Sequence, residues 1–244
     1  MDLILRRAIC LLIGYGLGCL QFAYIFGKVF KKIDIRDYGS GNAGTTNVIR
    51  VMGKGWGYLT FFLDALKGVA AVLIVAILYG YSEKYLLWWS GIGVVLGHNY
   101  PFYMKFRGGK GIAATIGIIL AADPRIVAVC LLPSLLVLYL SRYMSLASLT
   151  AMTLLATFSV VFYWGEPHGI EVMLLSLIFA VSAFGRHRAN IQRLLEGTES
   201  KIGQKVKIAA DFMNRKGKNT ADDDIYRQAI KKQTKGEKSA EKQE

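Results

Sequence analysis

Three segments of the chain combine glycine with side chains that bind anions. The first, residues 39–50, reads Gly-Ser-Gly-Asn-Ala-Gly-Thr-Thr-Asn-Val-Ile-Arg. Glycine allows main-chain N–H groups to approach a ligand, hydroxyls and amides supply hydrogen-bond donors, and Arg50 adds a permanently charged planar fork. This first segment predicts a site for an anion, most naturally a phosphate. Taken alone, it fits a polar loop between two helices equally well.

The second segment, residues 97–111, ends in Gly108-Gly109-Lys110-Gly111 and leads into a run of small residues. We expect it to open a helix whose N-terminal N–H groups hold oxyanions, with Lys110 as a point charge. It is not a nucleotide-binding P-loop, because the upstream glycine and the Ser or Thr after the lysine are missing. Nucleotide hydrolysis is therefore disfavoured.

The third segment, residues 185–199, follows the last apolar run and contains His187 and Asn190. On a helix these two residues share a face. His187 is then a candidate proton acceptor or phosphate donor, and the alternative is an ordinary residue at the membrane interface. Asp64 and Lys67 have the same spacing inside an apolar run, which predicts either an intrahelical ion pair or a role in positioning substrate.

These segments lack the residue patterns typical of covalent catalysis. The chain has no Gly-x-Ser-x-Gly elbow, no His-x4-Asp pair and no metal-ligand pattern, and its three cysteines lie in apolar runs. We therefore predict no metal and no cofactor. A site rich in cations and donors can position anionic substrates and stabilise developing negative charge. That favours transfer from a substrate that arrives activated, such as a mixed anhydride.

The elements that must position these residues are apolar helices. The 244 residues are 53% hydrophobic with a mean hydropathy of +0.36, too apolar for an ordinary soluble domain. We predict an all-α, polytopic membrane protein with about seven transmembrane helices. The runs are residues 8–27, 55–82, 85–97, 111–122, 126–141, 143–165 and 172–185. If the fourth and fifth form a shallow hairpin, two spans disappear together and the orientation is unchanged.

Basic residues predict the orientation. Thirteen Lys and Arg fall in the loops of one side and four on the other, which places the N-terminus outside and the C-terminus in the cytoplasm. All three segments then emerge on the cytoplasmic face. Residues 1–200 form the predicted membrane domain. The basic tail, residues 201–244, is expected to be largely disordered or a frayed helix, resting on an anionic leaflet rather than binding nucleic acid.

In order and spacing, the three segments resemble the motifs of the bacterial acyl-phosphate:glycerol-3-phosphate acyltransferase family, PlsY. The resemblance implies a seven-span inner-membrane enzyme with its active site facing the cytoplasm. It also implies transfer of a fatty acyl group from acyl phosphate to the 1-hydroxyl of glycerol 3-phosphate, giving lysophosphatidic acid and phosphate in the first step of phospholipid synthesis. Arg107 and Ala114 depart mildly from the family pattern.

The resemblance also implies roles for single residues. The predicted catalytic residues are His187, Asn190, Ser40 and Arg50. The predicted substrate-binding residues are Gly41, Asn42, Thr46, Asn47, Lys110, Gly108, Gly109, Gly111, Lys67 and Asp64. We expect direct attack of the glycerol hydroxyl without an acyl-enzyme, and either His187 or a phosphate oxygen as the proton acceptor.

Other functions are weighed against this interpretation. A transporter or binding protein for phosphorylated lipid or glycerol phosphate is disfavoured, since the sequence shows no paired repeats. Acyl-CoA or acyl carrier protein as donor is disfavoured by the missing His-x4-Asp. The expected partners are the two substrates and membrane lipid, with an upstream enzyme that forms acyl phosphate as a further possibility.

Overall fold

The computed structural model describes residues 2–202, and this part of the chain is helical without a β-strand. It confirms the predicted all-α class. Beyond Ile202 the basic tail lies outside the described residues, so its predicted disorder stays a prediction. The α-helices are α1 (Leu3–Gly18), α2 (Phe22–Lys31), α3 (Thr45–Met52), α4 (Lys54–Tyr79), α5 (Lys84–Asn99), α6 (Ile112–Ala122), α7 (Pro124–Ser141), α8 (Met144–Tyr163) and α9 (Gly169–Leu195).

Five stretches of the described chain are long and apolar enough to cross a membrane: α1 with α2, α4, α7, α8 and α9. Helix α6 has 11 residues and α5 has 16. At about 1.5 Å per residue, neither reaches the roughly 30 Å of a hydrocarbon core. The chain is an integral membrane protein; seven spans and an external N-terminus remain predictions.

The helix over the first apolar run is interrupted, although α1 with α2 still forms one stretch long enough to cross a membrane, in agreement with the predicted first span. Helix α1 ends at Gly18 and α2 begins at Phe22. Carbonyl groups freed by such a break are costly in an apolar setting unless they are hydrogen-bonded. Side chains donate to three of them: Gln21 Nε2 to Gly18 O (3.3 Å), Tyr103 Oη to Cys19 O (2.7 Å) and Lys67 Nζ to Leu20 O (2.5 Å).

Glycines bring α1 and α5 into backbone contact. Gly14 and Gly18 on α1 face Gly93 and Gly97 on α5, each pair separated by three residues. A Cβ on Gly14 would lie 1.9 Å from Ser90 O, and one on Gly97 would lie 2.3 Å from Tyr15 O. Small residues at this spacing allow membrane helices to pack closely. The tight packing fixes the start of the second segment, because its first residue, Gly97, lies in the last turn of α5.

A buried aromatic cluster joins α5 to α8 and α9. Trp88 is fully buried, and its ring meets Phe179 and Tyr163 edge-on at centroid distances of 5.8 and 6.1 Å. Such edge-to-face pairs stabilise a packed core beyond the area they bury. The cluster packs α9, which contains most of the third segment, against α5, where the second segment begins.

Candidate active site

The three polar segments converge on one cavity of about 370 Å³, which α3, α4, α6, α8, α9 and the chain after α9 surround. Most of the predicted site residues line it: Ser40, Gly41, Asn42, Thr46, Asn47, Arg50, Asp64, Lys110, Gly111, His187 and Asn190. Three do not line it: Lys67, Gly108 and Gly109.

Asn47 holds the first segment in shape. Its side chain is buried, and its Oδ1 accepts a hydrogen bond of 2.7 Å from Ser40 N. Both hydrogens of its amide are donated at 3.0 Å, to Ile35 O and Tyr38 O. An amide has only two N–H donors, so none is left for an anion. These bonds stabilise the loop, and substrate binding by Asn47, which also lines the cavity, stays a prediction.

Helix α3 presents its N-terminus and Arg50 to the cavity. The helix begins at Thr45, where the N–H groups of the first turn lack intrahelical acceptors and carry the positive end of the helix dipole. The Arg50 side chain is half-buried, and its guanidinium makes no hydrogen bond or ion pair with another residue between 2 and 202. Burial lowers the pKa of its guanidinium, which nonetheless stays charged at neutral pH.

Gly108 and Gly109 pack against the end of α5. Their N–H groups donate at 3.0 Å to Asn99 O and His98 O. A Cβ on Gly109 would lie 2.1 Å from His98 Nε2, so no larger residue fits. These two glycines are not among the residues that line the cavity, so their contact with substrate stays a prediction. As predicted, a helix, α6, begins directly after Gly111, whose φ is +81°.

Lys110 takes part in a chain of hydrogen bonds across the cavity. Its Nζ donates to Asn190 Oδ1, and Asn190 Nδ2 donates to Glu199 Oε1 at 2.6 Å. Ser145 Oγ donates to the same oxygen at 2.8 Å, and Arg193 Nε donates to Glu199 Oε2 at 2.7 Å. Glu199 is thus the shared acceptor of α8 and α9.

Burial and nearby charges shift the pKa values of Lys110 and Glu199, the two ionisable groups of this hydrogen-bond network. The pKa of Lys110 is lowered to about 8, chiefly by burial; Glu199 opposes this shift, and the positive charges of nearby arginines add to it. Burial alone would raise the pKa of Glu199, but its three hydrogen-bond donors outweigh burial and hold that pKa below its usual value. The carboxylate is therefore ionised at neutral pH, and the ammonium is close to losing its proton.

His187 is buried, and its Nδ1 lies 2.8 Å from Ala183 O. A carbonyl oxygen only accepts, so Nδ1 carries a proton. In the neutral ring this leaves Nε2 as the acceptor. His187 and Asn190 both line the cavity, as their shared helical face predicted.

Asp64 and Lys67 form the predicted intrahelical ion pair. Lys67 Nζ lies 2.7 Å from Asp64 Oδ1, and both side chains are about 2% exposed. Lys67 also contacts Leu20 O at 2.5 Å and His98 Nδ1 at 2.9 Å. Lys67 does not line the cavity and its ammonium binds these groups at the α1–α2 break, so its contact with substrate stays a prediction. Asp64 does line the cavity, with its carboxylate paired to Lys67.

Sequence reasoning left several polar residues of the cavity unassigned, among them His98, Ser145 and Glu199. Glu199 lies in the third segment, and the chain after α9 places it by returning to the α7–α8 turn, where Ile202 N donates to Arg142 O at 2.8 Å. His98 opens the second segment beside a glycine. Ser145 has no local signal except a second serine, Ser148, one helical turn later.

Comparison with known proteins decides the family. The glycerol-3-phosphate acyltransferase family matches residues 8–197, a span that contains almost all of the three segments. The chain belongs to this family. This assignment confirms the resemblance that was inferred from the motifs.

Relatives and solved structures agree with this assignment. The chain is 45% identical over 197 residues to the glycerol-3-phosphate acyltransferase of Thermoanaerobacter sp. (strain X514), covering 81% of this chain and 96% of the relative. It is 37% identical to that of Aquifex aeolicus (strain VF5), covering 81% and 100%. Crystal structures of PlsY, an integral membrane glycerol 3-phosphate acyltransferase, match it over 81% of its length. For the glycerol 3-phosphate form, the match covers 96% of the PlsY chain with a TM-score of 0.73 and 38% identity. For the lysophosphatidic acid form, it covers 95% of the PlsY chain with a TM-score of 0.70 and 37% identity.

Proposed function

We propose that this protein transfers a fatty acyl group from acyl phosphate to the 1-hydroxyl of glycerol 3-phosphate, releasing lysophosphatidic acid and phosphate. The observation that carries the proposal is the convergence of Arg50, Lys110 and His187 on one cavity of about 370 Å³. A cavity of this size suits the polar part of a small-molecule ligand. The relatives named as glycerol-3-phosphate acyltransferases supply the acceptor.

Two phosphate groups must be held close together in this reaction, and the cavity has cations and donors for both. Arg50, without another hydrogen-bond partner in the described chain, can form a bidentate pair with one phosphate. Lys110 and the N-terminus of α6 are the proposed donors to the other. Ser40, Gly41, Asn42 and Thr46 surround the Arg50 side of the cavity and are proposed to bind the glycerol phosphate.

The proposed chemistry is direct acyl transfer. The 1-hydroxyl oxygen attacks the acyl carbonyl carbon, and the bond from that carbon to the phosphate oxygen breaks. The phosphate leaves with the electron pair. The hydroxyl proton passes to His187 Nε2 or to a phosphate oxygen, and Asn190 orients the reacting groups beside Lys110. Within residues 2–202 no histidine ring is hydrogen-bonded to a serine or threonine hydroxyl, which argues against an acyl-enzyme.

An acyl chain requires access from the bilayer. Phe61 on α4 and Met144 on α8 line the cavity and are 40% and 38% exposed, so its wall continues to an apolar exterior surface. We propose that the headgroups react in the cavity while the chain extends into the cytoplasmic leaflet of the inner membrane. An enzyme that forms acyl phosphate is the corresponding upstream partner.

The orientation is tested by labelling introduced cysteines with a membrane-impermeant maleimide in intact cells and inverted vesicles. Gly55→Cys, Arg107→Cys and Ala189→Cys sample exposed positions beside the three segments, and Glu166→Cys samples the other end of the helices. We expect the first three to react only in inverted vesicles and Glu166→Cys only in intact cells. Labelling of the first three from opposite sides would refute a single cytoplasmic site.

The reaction is tested in liposomes containing the purified protein, palmitoyl phosphate and radiolabelled glycerol 3-phosphate. We expect labelled lysophosphatidic acid, a loss of at least about a hundredfold with Arg50→Ala or His187→Ala, and no product from acyl-CoA or acyl carrier protein. Uptake of glycerol 3-phosphate without acylation would instead support a transporter. Covalent acyl label on Ser40 would refute direct attack.

A further inference from the structure

Arg186, the residue before His187, binds the main chain of the second segment. Its Nη2 donates to Gly108 O at 3.0 Å and to Gly109 O at 2.8 Å, and its Nε donates to Gly109 O at 3.0 Å. The guanidinium carbon lies 5.4 Å from the centre of the Tyr100 ring, which supports the side chain from another direction. One charged side chain of α9 therefore engages two consecutive carbonyls next to Lys110.

We propose that Arg186 is a positioning residue for acyl transfer: it fastens the loop that carries Lys110 to the helix that carries His187 and Asn190. This inference rests on the proposed function. The carbonyl groups of Gly108 and Gly109 lie immediately before Lys110, so fixing them limits where the lysine backbone can move. The opposite side of the loop is fixed by α5, through the N–H groups of Gly108 and Gly109.

The fork geometry of arginine is what this contact requires. Nε and Nη2 belong to one rigid, planar guanidinium, so their N–H groups reach the carbonyls of Gly108 and Gly109 in a fixed geometry. A lysine ammonium cannot reproduce this geometry. Hydrogen bonds from a charged donor are also stronger than neutral ones. With Nε and Nη2 engaged on the loop, Arg186 acts on the reaction through the position of Lys110.

Two simpler explanations compete with this one. Arg186 could be one more basic residue of the cytoplasmic face, in which case its removal would resemble removal of Arg107, an exposed arginine at the start of the same loop. Arg186 also borders the cavity, so it could bind a phosphate directly. The three explanations give different results in a comparison of variants.

The first measurement is acyl transfer by the full-length protein in liposomes, with Arg186→Ala, Arg186→Lys and the matched control Arg107→Ala. We expect Arg186→Ala to lower kcat/KM by about tenfold to a hundredfold, as for the loss of charged hydrogen bonds. Arg186→Lys should recover only part of that loss, and Arg107→Ala should stay within about twofold of wild type.

The second measurement combines Arg186→Ala with Lys110→Ala. If Arg186 acts through Lys110, the double variant is no slower than Lys110→Ala alone. Losses that multiply would show that Arg186 has its own contact with substrate or a separate structural role, and would overturn the inference.

A third measurement does not depend on the reaction. Competitive labelling with isotopic acetic anhydride, followed by mass spectrometry, reports how reactive Lys110 is in each variant. The labelling is done at a pH above the pKa of Lys110, so that loss of the Arg186 charge does not change the fraction of reactive amine. We expect Lys110 to label about tenfold faster in Arg186→Ala than in wild type or Arg107→Ala, because a released loop exposes the amine. An unchanged rate would overturn the inference. If wild-type protein made no lysophosphatidic acid, the proposed function would fail while the labelling still tested the loop contact.

Discussion

The pKa of Lys110 predicts how the reaction responds to pH. In the unliganded cavity this pKa is about 8, whereas lysine in water titrates near 10.5. Between pH 7 and pH 9 the charged fraction of Lys110 falls from about nine-tenths to about one-tenth. Phosphate monoesters lose their second proton near pH 6, so glycerol 3-phosphate stays dianionic over this range. If only the charged lysine binds phosphate, kcat/KM falls about tenfold.

The stability of the protein should change in the opposite direction. Between about pH 8 and 10.5 the unfolded chain binds more protons at this lysine than the folded protein does, so the free energy of unfolding rises with pH. The contribution of Lys110 over the whole window is about 3 kcal/mol. A loss of activity at pH 9 through this lysine therefore occurs without a loss of thermal stability, which separates it from denaturation.

The assay is kcat/KM for glycerol 3-phosphate in liposomes at half-unit steps from pH 6.5 to 9.5, with background hydrolysis of acyl phosphate subtracted. Lys110→Arg keeps its charge throughout and should show no decline near pH 8. Lys110→Met should be about a hundredfold slower at pH 7 and insensitive to pH in this range. A wild-type profile that stays flat to pH 9, or an undiminished decline in Lys110→Met, would show that Lys110 is not the titrating group.

Three further substitutions test the loops and the shared carboxylate. Gly109→Ala forces a Cβ to 2.1 Å from His98 Nε2 and should reduce kcat/KM at least about a hundredfold. The control Gly16→Ala, which has open space at its Cβ, should leave kcat/KM unchanged. Equal effects of the two substitutions would contradict the packing argument. Asn47→Ala removes three hydrogen bonds and should lower the free energy of unfolding by about 3 kcal/mol in detergent denaturation, together with kcat/KM; a change in kcat/KM alone would indicate direct substrate contact. Glu199→Gln removes the negative charge that Arg193 binds and that attracts Lys110. It should lower the melting temperature and lower kcat/KM about tenfold or more, and wild-type values for both would refute its role as the shared acceptor.

Local patterns predicted the parts of the site that depend on neighbouring residues. The segment ending at Gly111 and followed by small residues predicted a helix start, and α6 begins at Ile112. The i, i+3 spacing of His187 and Asn190 placed both on one helical face. These predictions succeeded because a helix start and a helical face are set within about one turn of chain.

Other assignments depended on contacts between distant parts of the chain. Asn47 has the composition of an anion ligand, yet its donors bind carbonyls of the same loop. The break between α1 and α2 falls in an unbroken apolar run, and Lys67, distant in sequence, binds a carbonyl that it frees. No local pattern distinguishes a donor that is free for substrate from one already engaged.

The sequence by itself therefore determined the all-helical membrane class, the family and the set of polar segments, because hydrophobic run length and ordered motifs are properties of the chain alone. Only the tertiary structure decided which members of those segments line the cavity. It also placed Ser145 and Glu199 beside Asn190, although no motif assigned either of them to the site. The physical reason is that each polar group can satisfy only a few partners, and those partners are chosen by proximity in the folded protein.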